Sequence, residues 1–228
     1  MTATHLAFQQ FASAEQVAEA ATQRILTAAT HAIATRGRFQ IVLAGGRTPL
    51  AVYQRLATHA ADWAHWHIFF GDERCVPVPD AARNSVAAQR VWLDQVPIPP
   101  QQMHPIPAEL GAMPAAARYA ELISERLPFD LVLLGLGEDG HTGSLFPGHA
   151  IPDAALVMPV TNAPKPPAER VSLTPMALGA SAYLLILVTG RDKREALQRW
   201  RAGAALPIAR LVSAGRIEVL VDAEAAGA

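Results

Sequence analysis

The chain has one cysteine, Cys75, among 228 residues. No internal disulfide can form, and a reducing compartment, the cytoplasm, is the expectation. Long apolar runs are missing too: the longest strongly apolar stretch, Ala182 to Val188, falls far short of the ~20 residues a bilayer-spanning helix needs. Met1-Thr-Ala-Thr-His5 has neither the basic start nor the long apolar core of a signal peptide. Charge of one sign is also absent. Against 19 Lys and Arg stand 20 Asp and Glu, and no basic stripe offers itself to nucleic acid or an anionic membrane. No G-x-S-x-G elbow occurs, and Cys75 has no histidine partner in sequence, so covalent acyl-enzyme catalysis lacks its usual parts. No histidine spacing resembles a metal triad. His65 and His67 alternate at a strand start, while His5, His31, His59 and His104 have no motif around them.

What is present is alternation. Apolar residues make up 51% of the chain, enough for one α/β core. Ser13 with Gln16 resembles a capping box. Val17, Ala21, Ile25, Ala28 and Ala32 then form one helical stripe ending near Gly37. Strand patterns are expected near 40–44, 66–70, 130–134, 156–160, 170–173, 182–188 and 216–221, with helical windows near 49–60, 84–94, 112–126 and 191–201. The expectation is a single α/β domain with a mostly parallel, Rossmann-like sheet flanked by helices on both faces. Pro97 to Pro107 and Pro164 to Pro167 read as extended connections. Residues 1–12 and 223–228 are expected to be loose ends.

Three polar loops follow strand patterns, where open parallel sheets bind ligands. After Leu131 to Leu134 comes G-L-G-E-D-G-H-T-G-S-L-F-P at 135–147, carrying Glu138, Asp139 and His141. Gly135-x-Gly137-x-x-Gly140 matches the dinucleotide fingerprint in form only, because Pro147 and Gly148 cut short the long helix that motif requires. After Ile41 to Leu43 comes Ala44-Gly45-Gly46-Arg47-Thr48-Pro49. Here Thr48 is the expected N-cap and Pro49 the first helical residue, so free amides and a helix dipole converge on a spot suited to phosphate. The Walker spacing is absent. After Trp66 to Phe70 comes Gly71-Asp72-Glu73-Arg74-Cys75-Val76-Pro77, then Asn84-Ser85. Two acids and an arginine there suit a proton acceptor with an anion clamp.

These loops, in this order, resemble the 6-phosphogluconolactonase family, a branch of the group that includes glucosamine-6-phosphate deaminase. Arg170-Val-Ser-Leu-Thr174 and Gly190-Arg-Asp-Lys193 extend the resemblance, which runs from about Phe39 to Asp222. It implies hydrolysis of 6-phospho-D-glucono-1,5-lactone to 6-phosphogluconate, without metal or organic cofactor, by a monomer or small homo-oligomer. It also implies that Gly45, Gly46, Arg47 and Thr48 cradle the phosphate with charge from Arg170 and Lys193, and that Asp72, Arg74 and Asn84 line the sugar end. An activated cyclic ester needs one positioned base to deprotonate water, and His141 is the candidate because imidazole titrates near working pH. Asp139 or Asp72 orients it; the oxyanion donor is left open. Two departures stand out. Ala44 and Arg47 replace the serines usual in the family's glycine loop. Phe146 occupies the position where the deaminase branch carries a ring-opening glutamate, five residues after the histidine.

Overall fold

The computed structural model describes residues 6–227. Met1 to His5, read above for a missing signal and as part of a loose end, lie outside the described residues, as does Ala228. The strands are β1 (Leu6–Phe11), β2 (Phe39–Leu43), β3 (Trp66–Phe70), β4 (Asp72–Arg74), β5 (Met103–His104), β6 (Leu131–Gly135), β7 (Val157–Val160), β8 (Arg170–Leu173), β9 (Tyr183–Val188) and β10 (Arg216–Asp222). The helices are α1 (Ala14–Arg36), α2 (Arg47–Leu56), α3 (Asn84–Val91), α4 (Ala112–Ser124), α5 (Pro175–Gly179), α6 (Arg194–Arg201) and α7 (Ala223–Ala226).

Seven strands form one sheet in the order β1-β10-β9-β6-β2-β3-β5, parallel throughout. The continuous apolar runs of β2 and β9 are buried on both faces, as parallel strands covered by helices require. Register decides where the site lies. Leu43 pairs with Phe70 and Gly135 with Leu187, so β9, β6, β2 and β3 end together and their following loops share one rim.

The strands expected near 156–160 and 170–173 leave this sheet. Together with β4 they form a separate antiparallel sheet, β4-β8-β7. The chain crosses over at Gly71, whose N–H donates to Leu43 of the main sheet and whose carbonyl accepts from Leu173 of the small one. Pro159 has no N–H for a central ladder and sits on the edge strand β7.

Both expected loose ends are more ordered than that reading. Leu6–Phe11 pairs with β10 along its whole length, and the Phe8 ring packs edge-on against Trp200 at 5.4 Å. The Asp222 carboxylate caps the turn of α7 through the Ala225 N–H at 2.8 Å. The long helix follows its sequence signals closely. Ser13 Oγ accepts from Gln16 N at 3.4 Å, Gln16 Oε1 accepts from Ala12 N at 3.0 Å, and Gly37 closes the helix at φ 72°. Its buried stripe uses Ala29 rather than Ala28. Among the described residues, no helix is long and apolar enough to cross a membrane.

Candidate active site

The turn after β6 closes on itself. Gly137 N donates to the His141 carbonyl at 2.7 Å, and Gly140 takes φ 95°, a conformation that favours glycine. The closure folds Asp139 back onto His141: one carboxylate oxygen accepts the histidine's backbone N–H at 3.1 Å and meets ring Nδ1 at 2.5 Å. Burial alone would raise the Asp139 carboxyl, but these two hydrogen bonds outweigh it and hold it below the usual carboxylate range. The carboxylate thereby assigns the proton to Nδ1, and Nε2 is left without a partner among the described residues. The ring lies over Gly137, where a Cβ would sit 2.1 Å from Nδ1, and against buried Phe146, with centroids 5.1 Å apart. Of the two carboxylates expected as orienting groups, the one touching the ring is therefore Asp139.

Asp72 is engaged elsewhere. Buried, it accepts from Asn84 Nδ2 at 3.0 Å and from Ser144 Oγ at 2.6 Å. Ser144 lies on the His141 turn, so this carboxylate ties the turn to the loop after β3. Asn84 also fills the space over Gly45, where a Cβ would sit 2.1 Å from its Oδ1.

At the glycine loop, α2 begins two residues earlier than expected. Gly46, at φ 105°, occupies the cap and no side chain caps the helix. Thr48 is instead the second helical residue, its hydroxyl 2.5 Å from that of Thr189. Proline is tolerated throughout a first helical turn, so Pro49 does not fix the start at itself. The amides of Gly45, Gly46, Arg47 and Thr48 have no protein partner among the described residues, and the helix dipole adds to them. Behind them the Tyr53 hydroxyl holds both backbone groups of Ala44, at 3.0 and 2.8 Å, which accommodates the missing serine. Arg47 is 92% exposed and 3.8 Å from Asp192; it points into water.

The remaining cations separate. Lys193 follows β9 and is bonded to Asp192 at 2.9 Å. Arg170 lies on β8, directly opposite Arg74 on β4, with its guanidinium 5.5 Å from the Phe146 ring. Arg170 and Lys193 line the same cavity from different elements, the first from β8 and the second from the loop after β9. Cys75 is half-buried and its thiol is pushed up to about 11 by burial and by Glu169, the opposite of an activated nucleophile.

Several residues that position the site have no strong sequence signal. Glu73, fully buried, accepts from the backbone N–H groups of Arg74, Asn84 and Ser85 and from the Ser85 hydroxyl at 2.7–2.9 Å. Buried Arg83 packs beside it. Asp222 accepts from Gly190 N at 3.0 Å and so holds the loop that carries Lys193. The charge run at 72–74 pointed to Glu73 without separating its role from that of Asp72. Nothing local marked Asp222.

These groups surround one cavity of about 680 Å³, lined by the glycine loop, His141, Asp72, Arg74, Arg170 and Lys193. Among the described residues, no group of three or more His, Cys, Asp or Glu is arranged to hold a metal ion. A family model described as glucosamine-6-phosphate isomerases/6-phosphogluconolactonase matches residues 12–221. A protein named 6-phosphogluconolactonase from Mycobacterium leprae is 36% identical, covering 95% of both chains. Its namesake from Streptomyces coelicolor is 38% identical over 83% of this chain and 80% of its own. The crystal structure of 6-phosphogluconolactonase from Thermotoga maritima superposes with a TM-score of 0.89 at 28% identity, covering 96% of this chain and 100% of that one.

Proposed function

The chain belongs to the glucosamine-6-phosphate isomerase/6-phosphogluconolactonase family and hydrolyses 6-phosphogluconolactone in the pentose phosphate pathway, and we propose that it does so by direct attack of a water activated by His141. The observation that carries this reading is the Asp139–His141 pair. A carboxylate on Nδ1 leaves Nε2 without a partner among the described residues, and His141 lines a cavity shared with the glycine loop and with Arg74, Arg170 and Lys193. In the proposed step, water adds through oxygen to C1 of the 1,5-lactone while its proton passes to Nε2 and the carbonyl π pair moves onto oxygen. Collapse of that oxyanion breaks the C1–O5 bond. The departing O5 takes the proton back from the imidazolium and becomes the C5 hydroxyl, and the new carboxylic acid ionises to the product carboxylate. Asp139 stays ionised and keeps the ring oriented throughout.

The phosphate belongs, in this reading, at the amides of Gly45 to Thr48 with Lys193 beside them, since a helix N-terminus and a cation together suit a dianion. Asp72 and Asn84, the latter packed over Gly45, then meet the sugar between that loop and the reacting end, where Arg74 and Arg170 lie. No metal or organic cofactor enters the step. A single cysteine, which permits no internal disulfide, accords with a cytoplasmic setting. An amino-sugar-phosphate deaminase is disfavoured by Phe146, a buried ring at the position of that branch's glutamate. The test is lactone consumption measured against spontaneous hydrolysis, with and without the protein. Ammonia release from glucosamine 6-phosphate with no lactone turnover would replace this reading with the deaminase one.

A further inference from the structure

Arg74 and Arg170 stand directly opposite each other across the antiparallel β4–β8 ladder. Like charges facing in this way destabilise a sheet. Among the described residues, neither guanidinium has a carboxylate within ion-pair distance. Arg74 Nη1 donates to the Ala82 carbonyl at 2.5 Å, and its Nε is buried with no partner. Arg170 is buried, its Nε and Nη2 fixed by the carbonyls of Pro167 and Lys165 at 3.1 and 2.9 Å. Its Nη1 has no protein partner among the described residues. Burial, followed by the neighbouring Arg74, lowers the Arg170 guanidinium below its usual range, opposed by Asp72. Two rigid, half-satisfied cations held together at a cavity wall are a site for an anion.

Which anion is decided by place and charge. The Arg170 guanidinium lies 5.5 Å from the Phe146 ring, and the same ring packs on His141 at 5.1 Å. One aromatic side chain therefore connects the arginine to the base. The proposed phosphate amides and Lys193 are on other strand ends. Asp72, two residues before Arg74 on β4 and within electrostatic reach of Arg170, brings the cluster to about one net positive charge, which matches a singly charged oxygen better than a phosphate dianion.

We propose that Arg74 and Arg170 form the oxyanion site of the lactonase step and afterwards hold the carboxylate of the open-chain product, rather than the substrate phosphate. The inference rests on the hydrolytic reading above. Wild-type turnover of 6-phosphogluconolactone tests that reading separately. Given turnover, Arg170→Ala and Arg74→Gln should each lower kcat by about 10²- to 10³-fold, the usual cost of an oxyanion donor. The loss should be similar for 6-phosphogluconolactone and for unphosphorylated glucono-1,5-lactone. Competitive inhibition by free gluconate should weaken in both variants while inhibition by inorganic phosphate stays unchanged, and guanidinium ion should restore part of the Arg170→Ala activity. If Arg170→Ala fails to fold, Arg74→Gln carries the same comparison. A loss confined to the phosphorylated lactone, or weakened phosphate inhibition, would overturn the proposal in favour of a phosphate clamp. Normal turnover in either folded variant would overturn it as well.

Discussion

The two ends of the parallel sheet both collect charged residues, and they do opposite things with them. At the amino ends of β9 and β10, Glu218 accepts from Arg24 at 2.8 and 3.0 Å, pairs with Arg216 at 2.8 Å and also accepts from the Tyr183 hydroxyl. At the amino ends of β2 and β6, Asp130 accepts from Arg36 and from the Gln40 backbone N–H. Each of these acids is buried with its donors in contact. At the carboxyl ends, four backbone amides, one imidazole nitrogen and parts of two guanidiniums lack partners among the described residues, and their residues line a cavity. Burying polar groups costs free energy unless they are hydrogen-bonded. The first end is consistent with cohesion; the second retains its unmet hydrogen-bonding capacity for a ligand.

The contrast breaks most directly at His141. His141→Ala should lower kcat by about 10²- to 10⁴-fold with little change in KM and an unchanged melting temperature, since general base assistance is worth that much in rate. Steady-state kinetics beside a thermal melt would check it; near-normal turnover in folded protein removes His141 from the mechanism. Next comes Lys193. One charged hydrogen bond to phosphate is worth roughly 1.5–3 kcal/mol, so Lys193→Ala should cost about 10- to 100-fold in kcat/KM for the phosphorylated lactone. Unphosphorylated lactone should be unaffected. Equal losses on both substrates would show that the lysine serves the fold instead.

At the closed end the expected sign reverses. Glu218→Ala leaves Arg24, Arg216 and Tyr183 without their shared acceptor and should reduce unfolding free energy by about 1–3 kcal/mol, with kcat/KM intact. Chemical denaturation and kinetics on one preparation decide it, and lost activity at unchanged stability would contradict the division of labour between the ends.

The smallest effect is a pH dependence at His104, whose ring lies parallel to that of His67, with Nδ1 of the latter 3.4 Å from its Nε2. Burial, then His67 and Arg126, pushes His104 down from 6.5 to about 4. The unfolded chain binds a proton there more readily than the folded one, so the folded state is favoured above pH 6.5 and loses that advantage as pH falls toward 4. The melting temperature of wild type should decline across this window and that of His104→Asn should decline less. Identical slopes would show that this imidazole does not contribute.

Much of the fold and of the site is legible in the chain by itself because its signals are local. A continuous apolar run such as Leu131 to Leu134 can only be buried. Gly37 can close a helix within its own residues, and Ser13 with Gln16 can start one. Asp139 and His141 are two residues apart, so their contact needs no distant partner. The motif order alone was enough to place the family. Where recognition depended on partners far along the chain, residue spacing was silent. Thr48 looked like a cap until Thr189 claimed its hydroxyl, and Asp72 looked like an orienting acid until Asn84 and Ser144 occupied it. Leu6 to Phe11 carries too mixed a pattern to call, and becomes a strand because β10 supplies its hydrogen bonds. Glu73 and Asp222 gain their roles from amides 11 and 32 residues away. Arg74 and Arg170 face each other only because Gly71 hands the chain to a second sheet. Local sequence determined the elements and their ends. Tertiary structure decided which polar groups found partners and which were left for substrate, because hydrogen bonding and burial are properties of the packed chain as a whole.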